Sequence, residues 1–347
     1  MSDFKRIEDI YSDFAESLCK EIPENINPRS NTVEMLALSY WFEGLQQRTG
    51  LKTPYALELH FEPESFRRNS NGTIRHYRSK WSRYEQNLIT PKAKTLSRVE
   101  LLAPGSTRDL HHPLWTLMRQ IIKKERIDFD GYFRTLSIDI QLVLFSDGSD
   151  VFWDSSRREP STQILLDKLE RRASLDSLSA LIAIVVEADH LGRRSLAAKA
   201  TSSLHRVLLM LAMELQARGV AIGLTDWLVL NVLPLGVPAH LRVCMTSTDY
   251  IHASAHLNSM VYQHPQRRGK SLPWKQRTKL MLKLIAGDMG FDVMHAMRPE
   301  YELRTDIGDI ADNLIEEFKK ISALRTWGWM CIINGTPQIM PPTSLFR

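Results

Sequence analysis

Leu204, Val207, Leu208, Leu211 and Leu215 fall on one face of a long helix, and Gly219 stands where a glycine would end it. An apolar stripe of that length must bury against other helices, and Leu178 to Ala188 supplies an apolar helix just before it. Helical spacing of apolar residues recurs between 4 and 20, and again between 31 and 47, where Asn31-Thr32 supplies a helix start. Further helices are predicted over Pro113 to Lys124, from about Trp274 to Ile285, and from Asp306 to Leu324. Leu136 to Phe145 alternates as a strand would and is equally continuous with a buried helix from Tyr132, so both states stay open. The expected fold class is mainly α.

A chain of 347 residues exceeds what one hydrophobic core usually serves, so two units are expected. Ser146 to Ser161 lacks apolar periodicity and places a boundary near residue 150. Residues 1–150 then form a helical N-terminal region, and 151–347 a larger helical domain available for dimerisation or partner contact. Gln263 to Pro273, with four basic residues, reads as a second connection. With 43% hydrophobic and 24% charged residues the chain is far from disordered compositions. There is no fixed-period repeat and no low-complexity tract.

Cys19, Cys244 and Cys331 lie far apart and in odd number, which fits a reducing compartment and buried thiols rather than paired zinc ligands. The opening MSDFKRIEDIYSDF sets charges where a signal peptide needs an apolar core, so a cytoplasmic location is expected. The longest apolar runs, Leu181 to Val186 and Val207 to Met213, fall far short of the roughly 20 residues of a membrane span.

Charge is concentrated in one place. Between Arg67 and Arg98 stand nine basic residues and one acid, Glu85, a net of +8 in a chain whose total is +5. A folded element this basic points to a polyanionic partner, nucleic acid first. Ile74, Tyr77, Trp81, Tyr84 and Leu88 follow helical spacing, which predicts one helix that packs along this seam and presents Arg75, Arg78, Ser79, Ser82 and Arg83 on its other sides. Asn87 suits a left-handed cap, Thr90-Pro91 suits the start of the next helix, and Pro104-Gly105 stops it.

WSRYEQNLITPKAKTLSRVE, Trp81 to Glu100, resembles the second half of the Cro/phage-repressor type of helix-turn-helix domain. That family commonly ends its recognition helix with an aromatic-Glu pair, a cap two residues on, a later proline, and a Thr-Leu pair in the next helix. Tyr84, Glu85, Asn87, Pro91, Thr95 and Leu96 stand in those places. The resemblance implies a helix-turn-helix-like segment over residues 66–103. Arg78, Ser79, Ser82 and Arg83 would be base-edge or phosphate contacts, and Lys92 and Lys94 would lie near the DNA backbone, with Arg75 and Lys80 as electrostatic support. The front half departs from the family pattern: SFRRNSNGTIRHY, Ser65 to Tyr77, replaces the usual Gln-x-x-Leu-Ala helix and glycine turn.

No other constellation becomes chemistry. Asp249, His252 and His256 share a helical face, but no glutamate follows the first histidine as the zinc-protease motif requires. His111-His112 and Asp189-His190 are weaker still. Gly269-Lys270-Ser271 resembles the end of a phosphate loop, yet His264 occupies the place of the first glycine. Asp306, Asp309, Glu317 and Lys319 read as the solvent face of an amphipathic helix rather than a nuclease centre. No catalytic residue, metal site or cofactor is predicted. Three classes stay open: a DNA-binding protein of the bacterial-regulator kind, a non-catalytic interaction subunit of a bacterial defence or mobile-element complex, and an enzyme whose site is assembled from distant residues. The first is preferred, with DNA, a protein partner or a second copy of the chain as partners and no membrane.

Overall fold

The computed structural model describes residues 32–72, 74–76, 80–145, 157–158, 163–263, 272–306, 308, 310–336 and 340–346. The fold is mainly α. The helix expected over residues 4–20, Cys19, most of the connections at 146–161 and 263–273, and Gly269-Lys270-Ser271 lie outside the described residues.

Helix α1, Thr32–Thr49, buries Val33, Leu36, Trp41, Phe42 and Leu45. Helix α2, Pro54–Phe61, starts where its sequence says: Thr53 Oγ1 accepts the Ala56 N–H at 3.1 Å and Pro54 opens the first turn. A two-stranded antiparallel hairpin follows, β1 Arg67–Arg68 and β2 Ile74–His76, pairing Arg67 with His76 and Arg68 with Ile74. Then come α3 Lys80–Glu85, α4 Ala93–Leu102, α5 Ser106–Leu110, α6 Pro113–Lys123, α7 Phe129–Phe133 and α8 Ile138–Leu144. The ambiguous run at Leu136 to Phe145 is thus helix, with Ile140, Val143 and Leu144 buried and Ile138 and Leu142 exposed.

The remaining helices are α9 Gln163–Glu170, α10 Leu175–His190, α11 Arg194–Gln216, α12 Ala221–Asn231, α13 Ser247–Gln263, α14 Trp274–Ala286, α15 Phe291–Ala296 and α16 Asp312–Ile333. Strands β3 Leu241–Val243 and β4 Tyr301–Leu303 pair antiparallel. Helix α10 starts from a reciprocal cap: Ser174 Oγ accepts the Ser177 N–H while Ser177 Oγ accepts the Ser174 N–H. It is apolar nearly all round and packs most heavily on α11, as a helix hydrophobic on every side must. Gly219 follows α11 at φ +68°, in the left-handed region glycine favours. The final helix starts at Asp312, six residues later than expected, and Asp306 instead pairs with Arg304 in the turn after β4.

Buried apolar side chains on both sides of position 150 belong to one contiguous core. Polar contacts cross the same line at several places. Tyr132 Oη donates to Ser179 Oγ at 3.0 Å, His112 Nε2 lies 3.3 Å from Asp176, and Arg218 reaches Asp109 at 3.1 Å. No helix among the described residues is long and apolar enough to cross a membrane.

Candidate nucleic-acid interface

The predicted seam is real only at its centre. Trp81 and Tyr84, three residues apart on α3, are buried in an aromatic cluster with Trp41 and Phe61. Phe61 stacks on Trp81 with ring centroids 5.2 Å apart, and Trp41 meets Tyr84 edge-on at 5.7 Å. This cluster fixes α3 against α1 and α2. The single long helix is not formed. Ile74 belongs to strand β2, α3 spans six residues, and Leu88 is 63% exposed beyond its end. Tyr77, Arg78 and Ser79 lie outside the described residues. Arg75 is placed on strand β2, on a hairpin rather than on a recognition helix.

Asn87 caps α3 as the sequence indicates, at φ +57°. Its N–H donates to the Tyr84 carbonyl and the Leu88 N–H to the Arg83 carbonyl, the paired bonds of a Schellman ending. The Asn87 side chain is held by Ser39 Oγ of α1. Thr90-Pro91 does not start the next helix. Pro91 is buried, Lys92 occupies the N-cap position, and α4 begins at Ala93.

Lys80 departs furthest from expectation. Its ammonium donates to both Glu62 oxygens, at 2.8 and 2.7 Å, and to Thr95 Oγ1 at 2.9 Å, while Trp81 Nε1 donates to the same carboxylate at 3.1 Å. Burial pushes the Glu62 carboxyl up, but these donors outweigh it and hold it below the usual glutamate range. Lys80 therefore serves the interior and leaves no charge for a ligand.

The acids of this region are spent in the same way. From 54 to 103 the chain carries nine basic residues and five acids. Glu62 takes Lys80, and Glu64 takes Arg98. Glu58 is buried, bonded to Ser65 Oγ, with its carboxyl raised by that burial. Glu100 turns back to accept the Gly105 and Thr107 N–H groups at the start of α5. Two of the five are exposed: Glu64, in a surface pair with Arg98, and Glu85 on α3.

Three cations also remain outside. Arg83, Lys92 and Lys94 are exposed and make no ion pair among the described residues. Ser82 is half-buried beside Arg83. Lys92 and Lys94 flank the start of α4, whose first turn has no acid and no side-chain cap. Cations at the positive end of a helix dipole oppose helix stability, whereas an anion there is favoured by the dipole, the free N–H groups and both ammoniums. The structure thus places Ser82, Arg83, Lys92 and Lys94 on α3 and the start of α4, and withdraws Lys80. Glu62, which sequence reasoning missed, carries no local signal: it precedes Lys80 by 18 residues and meets it only through the fold.

Asp249 and His256 of the histidine face are engaged in capping and packing. Asp249 accepts from the Thr246 N–H at 2.7 Å and its hydroxyl at 2.8 Å, capping α13, and His256 packs edge-on to Trp329. Among the described residues no three metal-ligating side chains converge. Cys331 is buried and Cys244 half-buried, and burial raises both thiols. No protein-family model matches the chain, and no curated protein or solved structure matches it.

Proposed function

We propose that this chain binds nucleic acid, double-stranded DNA first, through the basic segment that runs from the β1–β2 hairpin through α3 to the start of α4. One observation carries the reading: Arg83, Lys92 and Lys94 stand exposed and make no ion pair among the described residues, while Glu62, Glu64 and Glu100 are engaged by Lys80, Arg98 and the N–H groups at the start of α5. The hairpin adds Arg67, Arg68 and Arg75 to the same stretch of chain. A six-residue α3 is about 9 Å long. It offers Ser82 and Arg83 rather than a full row of base-reading side chains, so binding is directed mainly at phosphates.

The test is a salt titration of the full chain against random duplex DNA, single-stranded DNA and RNA. Binding with a steep fall in affinity, about 0.9 log units per log unit of salt for each phosphate contacted, supports the reading. Preference for the duplex supports its DNA form. A second reading rests on Leu101 and Leu102, 83% and 53% exposed at the end of α4. Exposed apolar residues at a helix end suit a protein partner. Absence of binding to all three nucleic acids at low salt would overturn the first reading in favour of this one.

A further inference from the structure

Helix α14 carries four cations, Lys275, Arg277, Lys279 and Lys283, and no acid. They divide by face. Arg277 is tied down: it reaches Glu214 at 3.5 Å, donates to Asn258 Oδ1 and lies over the Trp274 ring at 5.0 Å. Lys275, Lys279 and Lys283 recur every four residues and so stack along one side of the helix. All three are exposed and make no ion pair among the described residues. Like charges at this spacing disfavour the helix by a few tenths of a kcal/mol per pair, roughly, so the stripe is not there for stability.

The stripe lines an open groove of about 990 Å³. Arg171 and Arg206 line the same groove from the end of α9 and from α11, and Arg298 from the residues after α15. Its acids are fewer: Asp167, Asp288 and Glu170, the last buried and bonded to Arg206 at 3.1 Å. Six basic against three acidic side chains leave the groove net positive. Arg298 is half-buried with no ion pair among the described residues, and burial lowers its guanidinium from the ordinary arginine range. A partly desolvated cation without a counter-ion is what an anionic ligand would complete. Met294 and Met297 add apolar, polarisable surface between the charges.

We propose that this groove binds a ligand bearing two or more phosphate groups, held by Lys275, Lys279 and Lys283 along one wall and by Arg298. The three lysines span about 12 Å of helix, enough for successive phosphates rather than one. A nucleoside polyphosphate and the phosphodiester chain of a single strand share this chemistry.

Calorimetric titration of the full chain at low salt with tripolyphosphate, adenosine triphosphate and a ten-nucleotide oligothymidylate tests the assignment. The variants are Lys279→Glu with Lys283→Glu, Arg298→Met, and Lys319→Glu with Lys320→Glu, which makes the same charge change on exposed α16 positions outside the groove. At least one probe is expected to bind the wild-type chain, with affinity falling about tenfold or more in the first two variants and about twofold or less in the third. Tightest binding of adenosine triphosphate assigns the groove to nucleotides, and tightest binding of the oligomer to a strand. Failure of all three probes to bind, or an equal loss in the α16 variant, would overturn the proposal. Should the α14 variant melt early, Lys279→Gln with Lys283→Gln replaces it and faces the same criterion.

Discussion

The Lys80 ammonium lies 2.7 Å from one Glu62 oxygen and 2.8 Å from the other, so the cation at the centre of the basic segment is neutralised from within. Glu62 also receives Trp81 Nε1 and Thr95 Oγ1, which ties α3 and α4 to the end of α2. Lys80→Met leaves a partly buried carboxylate short of its main partner. The expected cost is about 2 kcal/mol of stability, read as a lowered urea midpoint, with nucleic-acid affinity close to that of the wild type. A large loss of affinity at unchanged stability would return Lys80 to the binding face.

Arg83, Lys92 and Lys94 form the opposite case, exposed and without ion pairs among the described residues. Replacing all three by alanine is expected to leave the melting temperature nearly unchanged. The log–log salt dependence of DNA binding should become shallower by up to about 3, near one unit per lost phosphate contact. An unchanged slope would show that these residues do not meet the phosphates.

The sequence shows the fold clearly where local pattern and tertiary environment agree. The stripe Leu204 to Leu215 and the apolar run Leu178 to Ala188 appear as α11 and α10 because each signal is confined to neighbouring residues. At the basic segment the two levels part. Ile74, Trp81 and Leu88 fit one helical period, but Ile74 pairs with Arg68 across a hairpin, a hydrogen-bonding choice that spacing cannot express. The lysine stripe of α14 is visible in the sequence as plain spacing. Its meaning depends on Arg206 and Arg298, which only the packing of α11, α14 and α15 brings to the same groove.

Glu100 caps α5 from the preceding helix. The Thr107 N–H, and after it the Gly105 N–H, hold its carboxyl down to about 2. Since the folded-state value lies below the unfolded one, the stabilisation is complete above the ordinary glutamate range and is lost as pH falls through about 2. Glu100→Gln should cost about 1 kcal/mol at neutral pH and nothing further at the acid end. Denaturant midpoints of both chains across that range would show curves that converge on acidification; parallel curves would refute the cap.

Gly328 sits where α16 crosses α15. A Cβ there would stand 2.6 Å from the Ala296 amide nitrogen and closer still to the Asp292 carbonyl oxygen, both backbone atoms that cannot swing aside. Gly328→Ala is expected to destabilise by about 1–3 kcal/mol through forced separation of the two helices. Because Met294 and Arg298 of the α14–α15 groove lie on or just beyond α15, tripolyphosphate affinity should fall with it. A variant as stable as the wild type would mean that the helices part without cost.

His205 is fully enclosed between two partners: its Nδ1 is 2.8 Å from Tyr250 Oη and its Nε2 2.8 Å from the Met297 carbonyl oxygen. The carbonyl can only accept, so Nε2 carries the proton and Tyr250 donates to Nδ1, a neutral ring with both nitrogens satisfied. Burial drives the imidazole down to about 4. In the unfolded chain the same ring protonates in the ordinary histidine range. Stability is therefore full above that range, declines as pH falls through it, and levels off below about 4. The loss is at most about 3 kcal/mol, reduced where other groups protonate in compensation. His205→Gln can be satisfied at one partner at a time, so it should be less stable at pH 7 yet lose less between pH 7 and pH 5. Urea midpoints at the two pH values decide the matter: an equal drop in both chains would place the pH sensitivity elsewhere.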